Sequence, residues 1–340
     1  MKIYSAIKTK NSKEIKILGI NIYSKISNID YVKRKYLYGL FKKINNNQEI
    51  KYYILGIKVY SQKKYVGIKE TERIIILKNL QKMISTAALH KKSFAGYKGC
   101  HTNKKVCLFG AGPSLKYYVP LQNNKSINVA VNRTFLYDKV KFDYIFFIDK
   151  LGVEEYYNQL MKYDCTKFIG NQDCGSNFQV PESIALKMNG IRYNTTANMN
   201  LPNKLTYDIS SEPICNYRTV SLQALQFILY TNPKRVYIIG NDCNNSTGGH
   251  FIGKTYDIGF RGENLTQNDE IIRKSWKDVI SFTQTYYPET EIVSVNPVGL
   301  KGLFRDVYTK PYIEAHPEIL EEEGAVQYFE DECFEEELCD

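Results

Sequence analysis

"KKVCLFGAGPSLKYY", residues 104–118, decides the fold. An apolar, β-rich run ends in Gly-Ala-Gly-Pro-Ser, and a helix-forming stretch follows. Glycine lets another group come close to the backbone, and proline presets the φ of a first helical residue. The stretch therefore reads as strand, tight turn, helix. Outward from it the alternation repeats. "INVAVN" (127–132), "YIFFID" (144–149), "KFIGN" (167–171), "RVYIIGND" (235–242) and "EIVSVNP" (291–297) read as strands, with helical segments at 151–163, 219–232 and 268–287. Short buried strands between amphipathic helices predict a Rossmann-like, three-layer α/β/α domain with a mostly parallel sheet over residues 104–313.

In such sheets, ligands bind beyond the carboxyl ends of the strands. That rule gathers Gly110, Ala111, Gly112, Pro113, Ser114, Asn132, Arg133, Asp149, Asn171, Gly240, Asn241 and Asp242 as nucleotide-binding candidates. The loop "GAGPSL" lacks the Gly-Lys-Ser/Thr ending of a Walker A loop. It also lacks the third glycine of a dinucleotide fingerprint, since Leu115 stands there, and Asn132-Arg133 stand where an acidic residue would hold a ribose. What remains is a Gly turn whose N–H groups and Ser114 hydroxyl face an anion, or a plain strand–helix turn.

The net charge of +10 is unevenly spread. Residues 314–340 hold 12 acidic side chains and no Lys or Arg, so residues 1–313 carry 46 cationic against 24 acidic groups, a net of +22. A basic body suits an anionic partner. No nucleic-acid-binding motif is visible, so no nucleic acid is expected. The acidic end reads as a solvated or loosely helical appendage. No apolar run reaches membrane-spanning length, and "MKIYSAIKTKNSKEIKIL" has no signal-peptide h-region, so a cytoplasmic chain is expected. The eight cysteines form no CxxC pair and have no histidine at ligand spacing, which argues for free thiols and no metal site.

Residues 1–103 read as an accessory region. "IKILGINIYSK" (16–26) returns as "YYILGIKVYSQ" (52–62), a β-hairpin-like repeat. Between the copies, "YVKRKYLYGLFKKI" (31–44) reads as a basic helix. Residues 70–91 read as a connecting helix, and 91–105 as a linker. The Lys- and Tyr-rich composition leaves two readings open, a basic solvated face and a peripheral contact with the inner face of a membrane. The oligomeric state is left open, a homo-oligomer included.

Several pieces taken in order carry a resemblance. "GAGPSL" after a strand, "VNRTF" (131–135), "YRTVSLQALQFILYTNPKRVYIIGNDC" (217–243), "GGHFIGK" (248–254) and "ISFTQTYYPETEIVSVNPVGLKGLF" (280–304) resemble bacterial CMP-sugar sialyltransferases of glycosyltransferase family 42. They also resemble the broader 6-hydroxymethylpterin pyrophosphokinase-like family. The resemblance spans about residues 105–305 and implies a GT-A-like variant of the sheet. It implies a transferase that moves a sugar from a nucleotide-sugar, CMP-linked, to a glycan or lipid-linked acceptor in bacterial surface polysaccharide or lipopolysaccharide biosynthesis, with no cofactor beyond that donor. Thr219 and Ser221 would meet the nucleotide, and Arg218 the donor's phosphate or carboxylate. His250, in a Gly-rich polar loop, would take the acceptor's proton. No DxD pair occurs, which suits a metal-independent reaction. Where the sialyltransferases place tyrosines near the strand end, this chain has Cys243 and Asn244. A Mg-dependent pyrophosphokinase or phosphotransferase on the same scaffold, and a non-catalytic nucleotide-binding protein, remain alternatives.

Overall fold

A computed structural model of the chain describes seven strands between residues 4 and 63, and residues 70–120, 125–148, 150–171, 180–196, 204–217, 219–243 and 265–331. The chain divides into two units, residues 1–78 and 79–340.

The first unit is an antiparallel meander. Its strands β1 (Tyr4–Lys8), β2 (Ser12–Ile17), β3 (Ile20–Ser27), β4 (Tyr31–Tyr36), β5 (Phe41–Asn46), β6 (Glu49–Ile54) and β7 (Ile57–Lys63) pair in chain order. The sequence repeat is a repeated hairpin. Ile17 opposes Ile20 at the end of β2–β3, Ile54 opposes Ile57 at the end of β6–β7, and both pairs carry a register shift nearby. The basic helix expected over residues 31–44 does not form: that stretch supplies β4 and β5, which pair with each other. Tyr31, Val32, Tyr36, Phe41 and Ile44 favour a pleated strand, Gly39 interrupts any helix, and β3 and β6 offer open ladders on either side.

Helix α1 (Glu70–Phe94) contains the division between the units. The second unit then builds one sheet from β8 (Lys105–Phe109), β9 (Ile127–Val131), β10 (Tyr144–Phe147), β11 (Thr166–Asn171), β12 (Ile191–Asn194), β13 (Arg235–Ile239), β14 (Glu291–Val295) and β15 (Arg305–Val307). The order is β12-β11-β10-β9-β8-β13-β14-β15, with every pairing parallel. This is the expected Rossmann-like fold. The six expected strands are present. Strands β12 and β15, only four and three residues long, went unread because their sequences carry too little apolar alternation.

Both faces of the sheet are covered, so alternate residues enter different cores. Val106, Leu108, Val236 and Ile238 join one cluster, while Cys107, Phe109, Tyr237 and Ile239 join the other. Helices α2 (Lys150–Glu155), α3 (Tyr157–Lys162) and α4 (Glu182–Lys187) contribute to the second cluster. The first is filled by the end of α1 and by α5 (Val220–Tyr230) and α6 (Leu265–Tyr286). Within it, Phe168 packs against Phe146 at 4.6 Å, Phe227 at 4.8 Å and Phe94 at 5.4 Å between ring centroids. Aromatic pairs at such spacings add to the stabilisation from burial alone. Phe94 thus anchors a segment that reads as linker.

After β15, helices α7 (Lys310–Ala315) and α8 (Glu318–Glu323) fold back on the domain. The acidic end is therefore not a free appendage through residue 331. Phe329 is buried against Tyr237 and Tyr118, and Tyr308 bridges to Tyr328. Lys301 pairs with Glu322 and Glu323, and the Tyr308 hydroxyl donates to Glu323. No helix among the described residues is long and apolar enough to cross a membrane.

One buried group makes folding pH-dependent. His90 of α1 donates from Nδ1 to Ile209 O at 2.8 Å, and its Nε2 accepts the Asn194 N–H at 2.7 Å. Burial pushes its pKa from 6.5 down to about 4, so the ring is held neutral. The unfolded chain then binds more protons between those values. The stability this ring supports is whole above pH 6.5 and falls as pH drops towards 4. The loss is about 3 kcal/mol. Urea unfolding of wild type and His90→Gln should give a stability difference that shrinks by about that amount between neutral pH and pH 4.

Candidate functional site

Strands β9 to β12 run outward from β8 on one side, and β13 to β15 on the other. The order reverses between β8 and β13, and the carboxyl ends there frame the crevice where doubly wound sheets take ligands. The turn after β8 and the turn after β13 meet at this point. Gly110 N–H donates to Ile239 O at 2.8 Å and Gly112 N–H to Gly240 O at 2.7 Å. Ser114 then closes the seam. Its N–H donates to Asp242 Oδ2 at 2.9 Å, and its hydroxyl donates to Asp242 Oδ1.

The glycines make this approach feasible. A Cβ on Gly112 would lie 2.5 Å from the Asp242 carboxyl carbon, and one on Gly110 2.5 Å from Gly240 O. Gly240 itself has φ +63°, a conformation costly for other residues. Pro113–Tyr117 is one 3₁₀ turn. The Gly112 and Ser114 N–H groups, expected to face an anion, are engaged inside the protein.

Asp242 is only 6% exposed, and burial raises its pKa while the two bonds from Ser114 oppose the rise. Each carboxylate oxygen already accepts a bond from Ser114, so the side chain ties β13 to the β8 loop. With its O–H donating to Asp242, the Ser114 oxygen keeps lone pairs for a donor from outside. Asn241 Nδ2 turns inward to Ile239 O at 3.1 Å and Leu108 O at 3.3 Å.

The other candidates are spread along the same edge. Asn132 follows β9 with φ +51°, and its buried Oδ1 has no hydrogen-bond partner among the described residues. Arg133 is 3% exposed, with its guanidinium 6.0 Å from the Tyr156 ring centroid. Asn171 lies three strands from β8, about 14 Å across the sheet. It belongs to a separate network, donating to Asn194 Oδ1 at 2.8 Å, while Asn194 donates to Thr86 at 2.8 Å. Thr219 and Ser221 sit at the start of α5. The far end of that helix receives bonds from Gly99 and His101, ahead of β8, so its first turn lies at the carboxyl edge of the sheet. Ala111 and Pro113 complete the loop and are partly exposed. Asp149, Arg218 and His250 lie outside the described residues.

Sequence reasoning missed the groups that brace the crevice from the β14–β15 side. Asp242 O accepts the Gly299 N–H at 2.6 Å. Asn296, just past β14 with φ +51°, exchanges bonds with Thr309, and the Thr309 hydroxyl reaches Tyr117 O at 2.9 Å. Tyr312 packs on Tyr117 at 5.3 Å between ring centroids, and burial, then the nearby Asp242 charge, lifts its phenol to about 12. Asn296 obeys the rule that picked out the other strand ends and was within reach of it. Tyr312 carries no such signal. Among the described residues no group of three or more His, Cys, Asp or Glu could hold a metal ion.

No protein-family model matches the chain, and no curated protein matches its sequence. Among solved structures it is similar to the sialyltransferase CstII from Campylobacter jejuni in complex with the substrate analogue CMP-3FNeuAc, at 14% identity and TM-score 0.34. It is also similar to the sialyltransferase CST-II with a trisaccharide acceptor and CMP, at 15% and 0.35, and to CstII with cytidine-5'-monophosphate, at 14% and 0.35. These matches cover 56%, 56% and 57% of this chain and 80% of each of the others.

The seam can be broken in two ways. Ser114→Ala removes a bond to a buried carboxylate and should cost about 1.5–3 kcal/mol in urea unfolding. Gly112→Ala drives a methyl group into Asp242 and should cost at least as much. Because both act on one carboxylate, the double variant should lose less than the two costs added.

Proposed function

We propose that the chain is a glycosyltransferase that moves a sugar from a CMP-linked donor to a glycan or lipid-linked acceptor of the bacterial surface. The observation that carries this reading is the seam between β8 and β13. Three N–H groups of the loop, those of Gly110, Gly112 and Ser114, are turned inward, the last onto a buried carboxylate. Such a loop is a poor cradle for the charges of a di- or triphosphate. It suits a nucleoside monophosphate leaving group, with less charge to neutralise. The missing DxD pair favours the same, metal-independent chemistry.

In this reading the donor's nucleotide lies over residues 110–114, with Asn132, Arg133, Asp149, Asn171, Thr219, Ser221 and 240–242 along the same edge. The Asn132 Oδ1 and Ser114 oxygen accept bonds from it. Arg218 offers a fixed positive charge to the phosphate or to a carboxylate on the sugar. His250 accepts the proton of the acceptor hydroxyl as its oxygen bonds to the anomeric carbon, and the bond from that carbon to the phosphate breaks to release CMP.

A thermal-shift panel of CMP, CDP, UDP, GDP and ADP, each with and without Mg²⁺, should single out CMP and show no need for the metal. CMP release should require an acceptor and survive EDTA. His250→Ala should keep CMP binding and lose at least about a hundredfold in turnover. Undiminished turnover in that variant removes His250 from the mechanism, and strict Mg²⁺ and ATP dependence replaces glycosyl transfer with phosphotransfer.

A further inference from the structure

The register of the N-terminal meander sets charges against one another. Lys8 opposes Lys13, Lys13 opposes Lys25, Lys25 opposes Arg34, and Arg34 opposes Lys43, one cation on each of five neighbouring strands. The row continues through Tyr52 and Tyr60. Like charges placed directly opposite each other weaken a sheet. A protein stabilised by this meander alone would alternate their signs. The two acidic residues of these strands, Glu14 and Glu49, stand at other register positions, against Ser24 and Lys63.

Two residues along each of β2 to β6, and so on the same face, runs a second row, which reaches β7 across the register shift between Tyr52 and Tyr53. It links Ile15, Tyr23, Tyr36, Phe41, Ile54 and Ile57 in unbroken opposition across six strands. An apolar and aromatic band thus lies beside a cationic band across the sheet. In the same unit, Ile74 to Leu77 of α1 are large, apolar and exposed. A soluble polyanion would call for the first band only. A bilayer calls for both, since acidic headgroups take the lysines while the interface beneath takes rings and aliphatic chains.

We propose that this face of the meander is a docking surface for an anionic lipid bilayer, with the Lys8-to-Lys43 row set on the headgroups and the Ile15-to-Ile57 row at the acyl boundary. The surface is independent of the transfer chemistry.

Sedimentation of the full chain with phosphatidylcholine vesicles, with and without phosphatidylglycerol, tests it. Binding should appear only with phosphatidylglycerol and weaken as salt is raised. The variant Lys13→Gln, Lys25→Gln, Arg34→Gln, Lys43→Gln should lose binding about a hundred- to a thousandfold. A control with the same charge loss from the other register, Lys33→Gln, Lys35→Gln, Lys51→Gln, Lys58→Gln, should keep most of it. The row variant should also unfold thermally no earlier than wild type, because it relieves like-charge opposition. Equal loss in both variants, or equal binding to neutral vesicles, overturns the proposal. So does a row variant whose only change is the oligomeric state of the protein in free solution, which would assign the face to a second copy.

Discussion

The crevice between β8 and β13, where the parallel sheet reverses its winding, depends on one buried carboxylate. Asp242 receives both the N–H and the hydroxyl of Ser114, and its own carbonyl takes the N–H of Gly299. Three connections, those after β8, β13 and β14, are therefore fixed by a single residue at the point where the sheet reverses its winding. An isolated buried carboxylate is costly, and one that accepts bonds from the groups around it is not. The arrangement leaves no room for side chains at positions 112 and 299, where a Cβ would sit 2.5 Å from the Asp242 carboxyl carbon and 2.6 Å from its carbonyl oxygen. Glycine is demanded there by approach distance.

That constraint also reinterprets the sequence signal. Polar and glycine residues at every strand end read as ligand contacts, yet several answer to the backbone first. Asn132, Gly240, Cys243 and Asn296 all have φ between +47° and +63°, the left-handed region that Asn and Gly tolerate best. Each turns the chain sharply off the end of a strand. The same residues can serve a ligand afterwards, because a chain that turns there leaves polar groups at the rim. Asn132, with its buried and unpartnered oxygen, is the clearest case of both.

Legibility followed length and locality. The six longer strands of the parallel sheet and helices α5 and α6 were readable, because burial on both faces and amphipathic spacing are properties of contiguous sequence. What lay beyond reach was set by distant partners. Residues 31–44 became strands because β3 and β6 flank them, and residues 314–331 became part of the domain because Lys301 and the Phe109–Tyr118–Tyr237 pocket receive them. At the site, the Gly110, Gly112, Ser114 and Asp242 constellation was visible as a cluster of strand ends. The inward direction of its hydrogen bonds was not, since it depends on which strand lies beside β8. Asn171 shows the converse: the strand-end rule selected it, and the strand order puts it three positions away.

The distribution of charge follows from the same division between local and distant partners. In the second unit carboxylates are drawn onto cations well separated in sequence: Glu322 and Glu323 of the acidic end meet Lys301, and Glu291 at the start of β14 meets both Arg235 and Arg305. The two guanidiniums hold the Glu291 carboxyl below its usual range despite its partial burial. Acidic excess is thereby spent inside the fold. The meander contains too few carboxylates to do likewise, with twelve cations and two acids on its seven strands. Its register then opposes cation to cation instead of separating them. A sheet can tolerate that only if other terms offset the repulsion, and the apolar row beside it is the available one. The excess of +22 over residues 1–313 is thus a property of where neutralising partners are absent from the sequence, and the N-terminal strands are where it concentrates.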